Sequence, residues 1–380
     1  MTVKLKQLIK FILFIIIDFL AKKNKKIESK TILLIRLDAI GDYVLFRNYI
    51  EILKNEYPEY KITLVGNKAW KSIAQELDSS FVDRFIWIDT SKFSSKFFYR
   101  FKKIQEISAQ GYELVVNPTY SRIFYNDDSI VRSVNAKEKI GNSGDLSNSK
   151  KWQKNISDKY YTKLIPAQNE IIFEFLRNKE FFENLFGKKL DIKKPTIKLK
   201  DKKLNFEVSK EYVILFIGAS ASYRKWNVKK FVEVGKYIKE VYNLDIVVCG
   251  GPTDRDDAKM FKKFADYDYV DMVGKTSLVD FLYIISNGNL MLSNETSAPH
   301  FAVALEMTNI FVISNGNHYG RFTPYPKEVS ENYHVIYHPE IEKDLDDYKK
   351  LSNSYGYGSK LDINKISVDS VKNKIDREIK

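Results

Sequence analysis

Ile32-Leu33-Leu34-Ile35-Arg36-Leu37-Asp38-Ala39-Ile40-Gly41-Asp42-Tyr43-Val44-Leu45 opens as an apolar run, tightens into a polar turn and resumes with apolar residues at helical spacing. Such a run reads as a strand buried on both faces, the mark of a parallel sheet covered by helices. Gly41 lets the chain bend sharply, and Asp42 then falls in the first turn of the next helix. Leu290-Met291-Leu292-Ser293-Asn294-Glu295-Thr296-Ser297-Ala298-Pro299-His300 repeats this plan in the second half of the chain. Open α/β sheets bind ligands beyond the carboxyl ends of their strands, where turns of this kind lie. One such turn in each half predicts two lobes facing a common cleft.

Strand and helix signals alternate on both sides of these segments. Residues 31–37, 61–65, 81–88 and 113–116 read as strands of a first lobe, and 212–217, 245–249, 269–273, 290–293 and 309–313 as strands of a second. Strands separated by helices imply parallel sheets with right-handed crossovers. The 380 residues exceed what one hydrophobic core supports. The expected division is an N-terminal foot over 1–26, a first lobe over 27–190, a linker over 191–205, a second lobe over 206–345 and a tail over 346–380 that packs back on the first lobe. Residues 141–160, rich in Ser, Asn and Lys, read as a mobile loop.

The net charge of +13 is unevenly spread and is partly a property of the N-terminus. Residues 1–30 carry eight lysines against Asp18 and Glu28. Phe11-Ile12-Leu13-Phe14-Ile15-Ile16-Ile17 is the most apolar run in the chain. Asp18 interrupts it, and it falls short of the roughly 20 residues that span a bilayer. The expected reading is an interfacial helix on the inner face of the cytoplasmic membrane. A helix packed on the lobe is the plainer alternative. No nucleic-acid-binding motif is present. One cysteine, Cys249, excludes an intrachain disulfide and reads as a buried thiol.

Four segments carry candidate chemistry. Asp42 is either an ordinary helix-start carboxylate or a general base for a substrate hydroxyl, with Asp38 second in line. Ser293 to Ser297 place acceptors and hydroxyls ahead of a helix whose free N–H groups favour an anion, with His300 one turn in. In Gly218-Ala219-Ser220-Ala221-Ser222-Tyr223-Arg224-Lys225-Trp226, small residues admit a phosphate and two cations meet it; alone, such a loop also reads as a solvated basic turn. Cys249-Gly250-Gly251-Pro252-Thr253-Asp254 is either a capped turn or a ribose contact through Asp254. Walker A, G-x-G-x-x-G, H-E-x-x-H and paired C-x-x-C motifs are absent, and the four histidines have no metal-binding spacing.

Together these segments resemble glycosyltransferase family 9, the heptosyltransferase-like enzymes of bacterial surface polysaccharides. Residues 35–45 (IRLDAIGDYVL) are similar to its strand–(S/D)-x-x-G-D motif, 218–226 to its phosphate loop, and 249–252 to its G-G-P turn. Residues 273–305 are similar to its G-K-T-S-L…S-N-D-(S/T)-G-P-x-H block. The resemblance spans roughly 31–325. It implies a GT-B fold of two Rossmann-like, doubly wound α/β domains, with the acceptor on the first and a nucleotide-diphosphate sugar on the second. It also implies an inverting transfer without metal or cofactor to a cell-surface glycan or glycolipid. Asp42 is implied as base, and Ser220, Arg224, Lys225, Glu295, Thr296, Ser297, Ala298 and His300 as donor contacts. Glu295 stands where the family usually has Asp, Ser297 where it has Gly, and Ser314 to Arg321 where it has a G-P-T segment. A nucleotide-sugar epimerase and a non-catalytic, membrane-associated binder of glycan or nucleotide are the other readings these segments allow.

Overall fold

In the computed structural model, residues 3–200 and 211–379 are described. The chain divides into two compact units, Met1–Asn169 with Arg177–Asp191, and Glu170–Leu176 with Ile192–Lys380. The first holds β1 (Thr31–Arg36), β2 (Lys61–Asn67), β3 (Arg84–Ile88), β4 (Tyr112–Asn117), β5 (Ala136–Asn142) and β6 (Lys163–Ile165). All pair in parallel, in the order β3-β2-β1-β4-β5-β6. The second holds β7 (Tyr212–Phe216), β8 (Asp245–Cys249), β9 (Val270–Asp271), β10 (Leu290–Asn294), β11 (Ile310–Ser314) and β12 (Tyr333–Tyr337). These too are parallel, in the order β12-β11-β10-β7-β8-β9.

Each sheet therefore has the 3-2-1-4-5-6 order of a doubly wound Rossmann-type domain. The order reverses between β1 and β4 in one unit and between β7 and β10 in the other. At such a reversal the following helices leave on opposite faces and open a crevice at the strand ends, where ligands bind. The turn after β1 and the turn after β10, singled out from the sequence, both lie at these points.

The strands at the centre of each sheet are apolar because helices cover both faces. In the first unit Leu33, Ile35, Val65, Ile86 and Val115 join one buried cluster. In the second, Val213, Leu215, Leu292, Phe311 and Ile313 do so. Cys249 is buried, and burial pushes its thiol up.

Several sequence expectations are corrected here. Residues 141–160 are not a loop throughout: Lys151–Ser157 forms a helix, with Gln153 returning a bond to the Lys150 N–H at 2.8 Å. The helix of the tail, Val368–Glu378, expected to reach the first lobe, buries Val371 and Ile375 in the core of the second unit. The apolar i, i+3, i+7 spacing of Val368, Val371 and Ile375 marks one helical face, but sequence alone does not say which sheet receives it. The linker expected over 191–205 is docked over its described part. The Ile197 N–H donates to the Ala304 carbonyl at 2.7 Å, and Ile197 is buried. Residues 201–205 of that linker, and 206–210 of the second lobe, lie outside the described residues.

The N-terminal helix, Val3–Ala21, packs on the first unit through Phe14, Asp18 and Ala21. Asp18 is an anchor as well as an interruption. It accepts from Arg100 Nε and Nη2, both at 2.6 Å, and pairs with Arg132. No described helix is long and apolar enough to cross a membrane.

Candidate functional site

In the first unit, Asp42 occupies the first turn of the helix Ile40–Phe46 and is half-buried. The turn that delivers it is clamped from the side. Asn67 Nδ2 donates to the carbonyls of Leu37 (3.0 Å) and Asp38 (3.1 Å), and Trp70 Nε1 donates to Asp38 O (3.0 Å). The Trp70 indole stacks on Tyr43 with centroids 4.5 Å apart. Tyr43 in turn donates to Asp78, which is ion-paired to Arg47. Gly66 makes room for this arrangement, since a Cβ there would lie 2.3 Å from the indole. These three bonds hold the backbone of the turn at Leu37 and Asp38.

Asp38 Oδ2 lies 2.8 Å from Nε of buried Arg36, whose Nη1 donates to Asn178 at 3.0 Å. Across the switch point, the end of β4 carries a buried polar network absent from the sequence-based site. Asn117 donates to Asp127 (3.2 Å) and Tyr161 (2.7 Å), and Tyr161 donates to Asp128 (2.7 Å). Arg122 donates to Asp128 at 3.0 Å and also pairs with Asp158. Burial, and then the charges of Asp128 and Asp38, push the Asp127 carboxyl far above the carboxylate range. The signal for this network was the Asp127-Asp128 pair after a strand that ends in Asn. Nothing in their spacing identified a partner as distant as Tyr161.

In the second unit, Asn294 closes the end of β10. Its Nδ2 donates to Ile217 O at 2.9 Å and its Oδ1 accepts from Trp226 N–H at 2.9 Å, which ties β10 to the loop after β7. Glu295 follows, buried, and accepts from the Ser314 hydroxyl. Burial pushes its carboxyl up to about 7, against the opposing pull of Ser314, Arg224 and Asn317. Arg224 donates to Ser220, while its buried Nε has no hydrogen-bond partner among the described residues. Buried donors are nearly always satisfied, so the unmet Arg224 Nε near this carboxyl marks a place for a ligand or ordered water. Thr296 and Ser297 are half-buried at the start of the helix Ser297–Ala304, and Ala298 is buried behind them.

Three of the expected donor residues stand differently. Lys225 Nζ lies 2.6 Å from both Asp254 Oδ1 and Asp257 Oδ2, so its charge is already neutralised. Asp254 is buried and accepts from the Gly251 N–H at 2.8 Å, which occupies the carboxylate expected at a ribose. A Cβ at Gly218 would lie 2.1 Å from Asp254 Oδ2, so the glycine serves this closure. His300 is buried with Nδ1 2.8 Å from Tyr325 Oη, and burial pushes its imidazole down to about 4. It is a neutral member of an aromatic group with Tyr325 and Phe322. Beside this site, Arg255, Ala258, Lys262, Val273, Gly274 and Lys275 line a cavity of about 300 Å³. No group of three or more His, Cys, Asp or Glu side chains among the described residues is arranged to hold a metal ion.

Two parallel six-stranded Rossmann-type domains, each with polar groups at its switch point, define the GT-B class. The sequence model of glycosyltransferase family 9 (heptosyltransferase) matches residues 100–351. The chain belongs to this family and is a glycosyltransferase. No curated protein matches it. Among solved structures it is similar to the family 9 glycosyl transferase from Veillonella parvula DSM 2008, with a TM-score of 0.68 at 16% identity over 94% of this chain and 98% of the other. It is also similar to E. coli heptosyltransferase WaaC with ADP, with a TM-score of 0.68 at 15% identity over 92% and 99%. For E. coli ADP-heptose lps heptosyltransferase II the TM-score is 0.61 at 13% identity over 92% and 99%. At these identities the likeness concerns the fold. The turn that carries Asp42 precedes the matched segment.

Proposed function

We propose that the enzyme moves a sugar, with inversion, from a nucleotide-diphosphate donor held by the second unit to a hydroxyl of a cell-surface polysaccharide or glycolipid. The observation that carries this reading is the unmet buried donor Arg224 Nε beside the buried carboxyl of Glu295 at the β7/β10 switch point. An anionic leaving group fits there. Asp42 takes the proton of the acceptor hydroxyl, and that oxygen attacks the anomeric carbon opposite the departing diphosphate. Negative charge grows on the leaving group and is met by Arg224, by Ser220 and by the N–H groups at Thr296, Ser297 and Ala298, with no metal in the step. Lys225, paired with two aspartates, shapes the loop and adds little net charge.

Glu295 suits this role because of its burial. A carboxyl that holds its proton up to about 7 repels a neighbouring diphosphate less than an ordinary one. In this reading Asp38, held by Arg36, orients the turn and leaves the base role to Asp42. Residues 1–26 bring the enzyme to the inner face of the cytoplasmic membrane, where a lipid-linked acceptor is available. Donor and acceptor are the expected partners, and the solved relative WaaC was captured with ADP.

The test is a thermal-shift panel of nucleotide-diphosphate sugars on the native enzyme and on Arg224→Ala, since a ligand that binds only the folded state raises its stability. A donor that stabilises the native enzyme is expected to bind the variant about 10- to 150-fold more weakly, the value of a charge-assisted hydrogen bond. Equal binding to both would remove Arg224 from the donor site.

A further inference from the structure

The N-terminal helix is apolar on two opposite faces. Phe14, Asp18 and Ala21, spaced four and three residues apart, face the lobe. Ile9, Ile12, Leu13, Ile16, Phe19 and Leu20 follow the same helical period half a turn away and are exposed, Phe19 to 78%. Exposed apolar residues continue onto the neighbouring elements. Phe97, at the start of the helix Phe97–Ile107, meets Phe14 edge-on at 5.8 Å, and Phe98 beside it is 70% exposed. Trp152, of the helix Lys151–Ser157, meets Phe11 edge-on at 5.6 Å and is also exposed. So many exposed apolar side chains on and beside one helix are unusual on a soluble surface and mark an interaction site. Its rim is basic: Lys23, Lys25, Lys26, Lys96, Lys102 and Lys151 are all exposed. Lys102 Nζ sits 4.4 Å from the Phe98 ring centre.

The helix cannot leave the lobe cheaply. Arg100 is fully buried, and Asp18 neutralises it through two bonds of 2.6 Å while also pairing with Arg132. Peeling the helix into a bilayer would strand a buried guanidinium and carry a carboxylate into lipid, both strongly unfavourable. The outer face therefore reaches lipid only with the lobe still attached, and Phe97, Phe98 and Trp152 arrive with it.

We infer that the outer face of the N-terminal helix, Phe97, Phe98 and Trp152 form one rigid seat for an anionic bilayer surface, rather than the helix acting as a detachable tether. The inference rests on the reading of residues 1–26 as a membrane foot and adds the elements that share the contact. The apolar face enters the acyl boundary, aromatic rings lie at the headgroup level, and the lysine rim meets anionic headgroups. Each lysine close to the surface strengthens binding about fivefold.

The test is co-sedimentation of the full chain with phosphatidylcholine vesicles, with and without phosphatidylglycerol, and thermal unfolding as a control of folding. The native chain is expected to bind the anionic vesicles more than tenfold better. Ile12→Ser with Ile16→Ser, and separately Phe97→Ser with Phe98→Ser, are each expected to weaken that binding about tenfold or more. Loss in the first pair with native binding in the second would overturn the composite seat and leave the foot standing. No vesicle binding by the native chain would overturn both. So would a dimer, seen by light scattering, that the isoleucine pair abolishes while lipid has no effect. A readout independent of those variants is quenching of tryptophan emission by brominated lipid. Quenching lost in Trp152→Phe supports the seat, and quenching unchanged there overturns it.

Discussion

Glu295 is where a single residue most clearly couples structure to ligand. Its carboxyl is poised near 7 by burial, with Arg224 and Ser314 pulling the other way. An arriving diphosphate adds negative charge and pushes it further up, so donor binding near neutrality should take up protons. Calorimetry of nucleoside-diphosphate binding in buffers of different ionisation enthalpy is expected to show this uptake, and Glu295→Gln to remove most of it. Binding without proton uptake would place the anion elsewhere. His300 acts in the opposite direction, on stability. Its folded value of about 4 lies below the ordinary 6.5 because of burial. Between these values the unfolded chain binds the extra proton, so the stability that neutral burial supplies is present above 6.5 and lost as pH falls toward 4. His318, pushed down to about 4 by burial and then Arg321, adds to the same window. The stability advantage of the native protein over His300→Gln should shrink by up to about 1.4 kcal/mol per pH unit there, measured by chemical unfolding. A constant advantage would mean that the imidazole is not held neutral by the fold.

At the scale of elements, what could be read in advance follows from burial. β1, β7 and β10 lie at sheet centres with helices on both faces, so 32–35, 213–215 and 290–292 are unbroken apolar runs and declare themselves. Away from the centres the outcome is mixed: β3 and β9, at the edges, fall within the expected 81–88 and 269–273, while β5, β6 and β12 gave no such signal. β5 begins Ala136-Lys137-Glu138-Lys139, β6 is three residues long, and β12 carries His334, so their patterns resemble turns or solvated segments. The helical spacing that begins after Gly41 is divided between two helices, Ile40–Phe46 and Asn48–Glu56, and no glycine or proline at the break announces it. The partners of Lys225, 29 and 32 residues away, meet only because parallel β7 and β8 bring their carboxyl ends together. For the N-terminal helix, Asp18 seemed to spoil an apolar segment because its partners, Arg100 and Arg132, lie 82 and 114 residues on. Removing it leaves a buried cation without its counter-charge. Asp18→Ala is expected to cost about 3–5 kcal/mol in chemical unfolding; a cost within about 0.5 kcal/mol would show that the helix is not anchored this way.

Over the whole molecule, one strand order occurs twice, and it sets where each half keeps its chemistry. The first unit places Asp38, Asp42 and the Asn117–Asp127 pair at the β1/β4 reversal. The second places Ser220, Arg224, Glu295 and the start of the helix Ser297–Ala304 at the β7/β10 reversal. The turns themselves were legible because each follows a central strand. The unmet donor of Arg224 and the tuned carboxyls were not, because they depend on which side chains the register brings together. The account's central claim is that Asp42 is the base of a sugar transfer whose donor is bound independently of it. Parallel measurement of donor affinity and of transfer turnover in Asp42→Asn tests this directly. Turnover should fall by about 100- to 10,000-fold with donor affinity almost unchanged. Near-native turnover in that variant would contradict the claim.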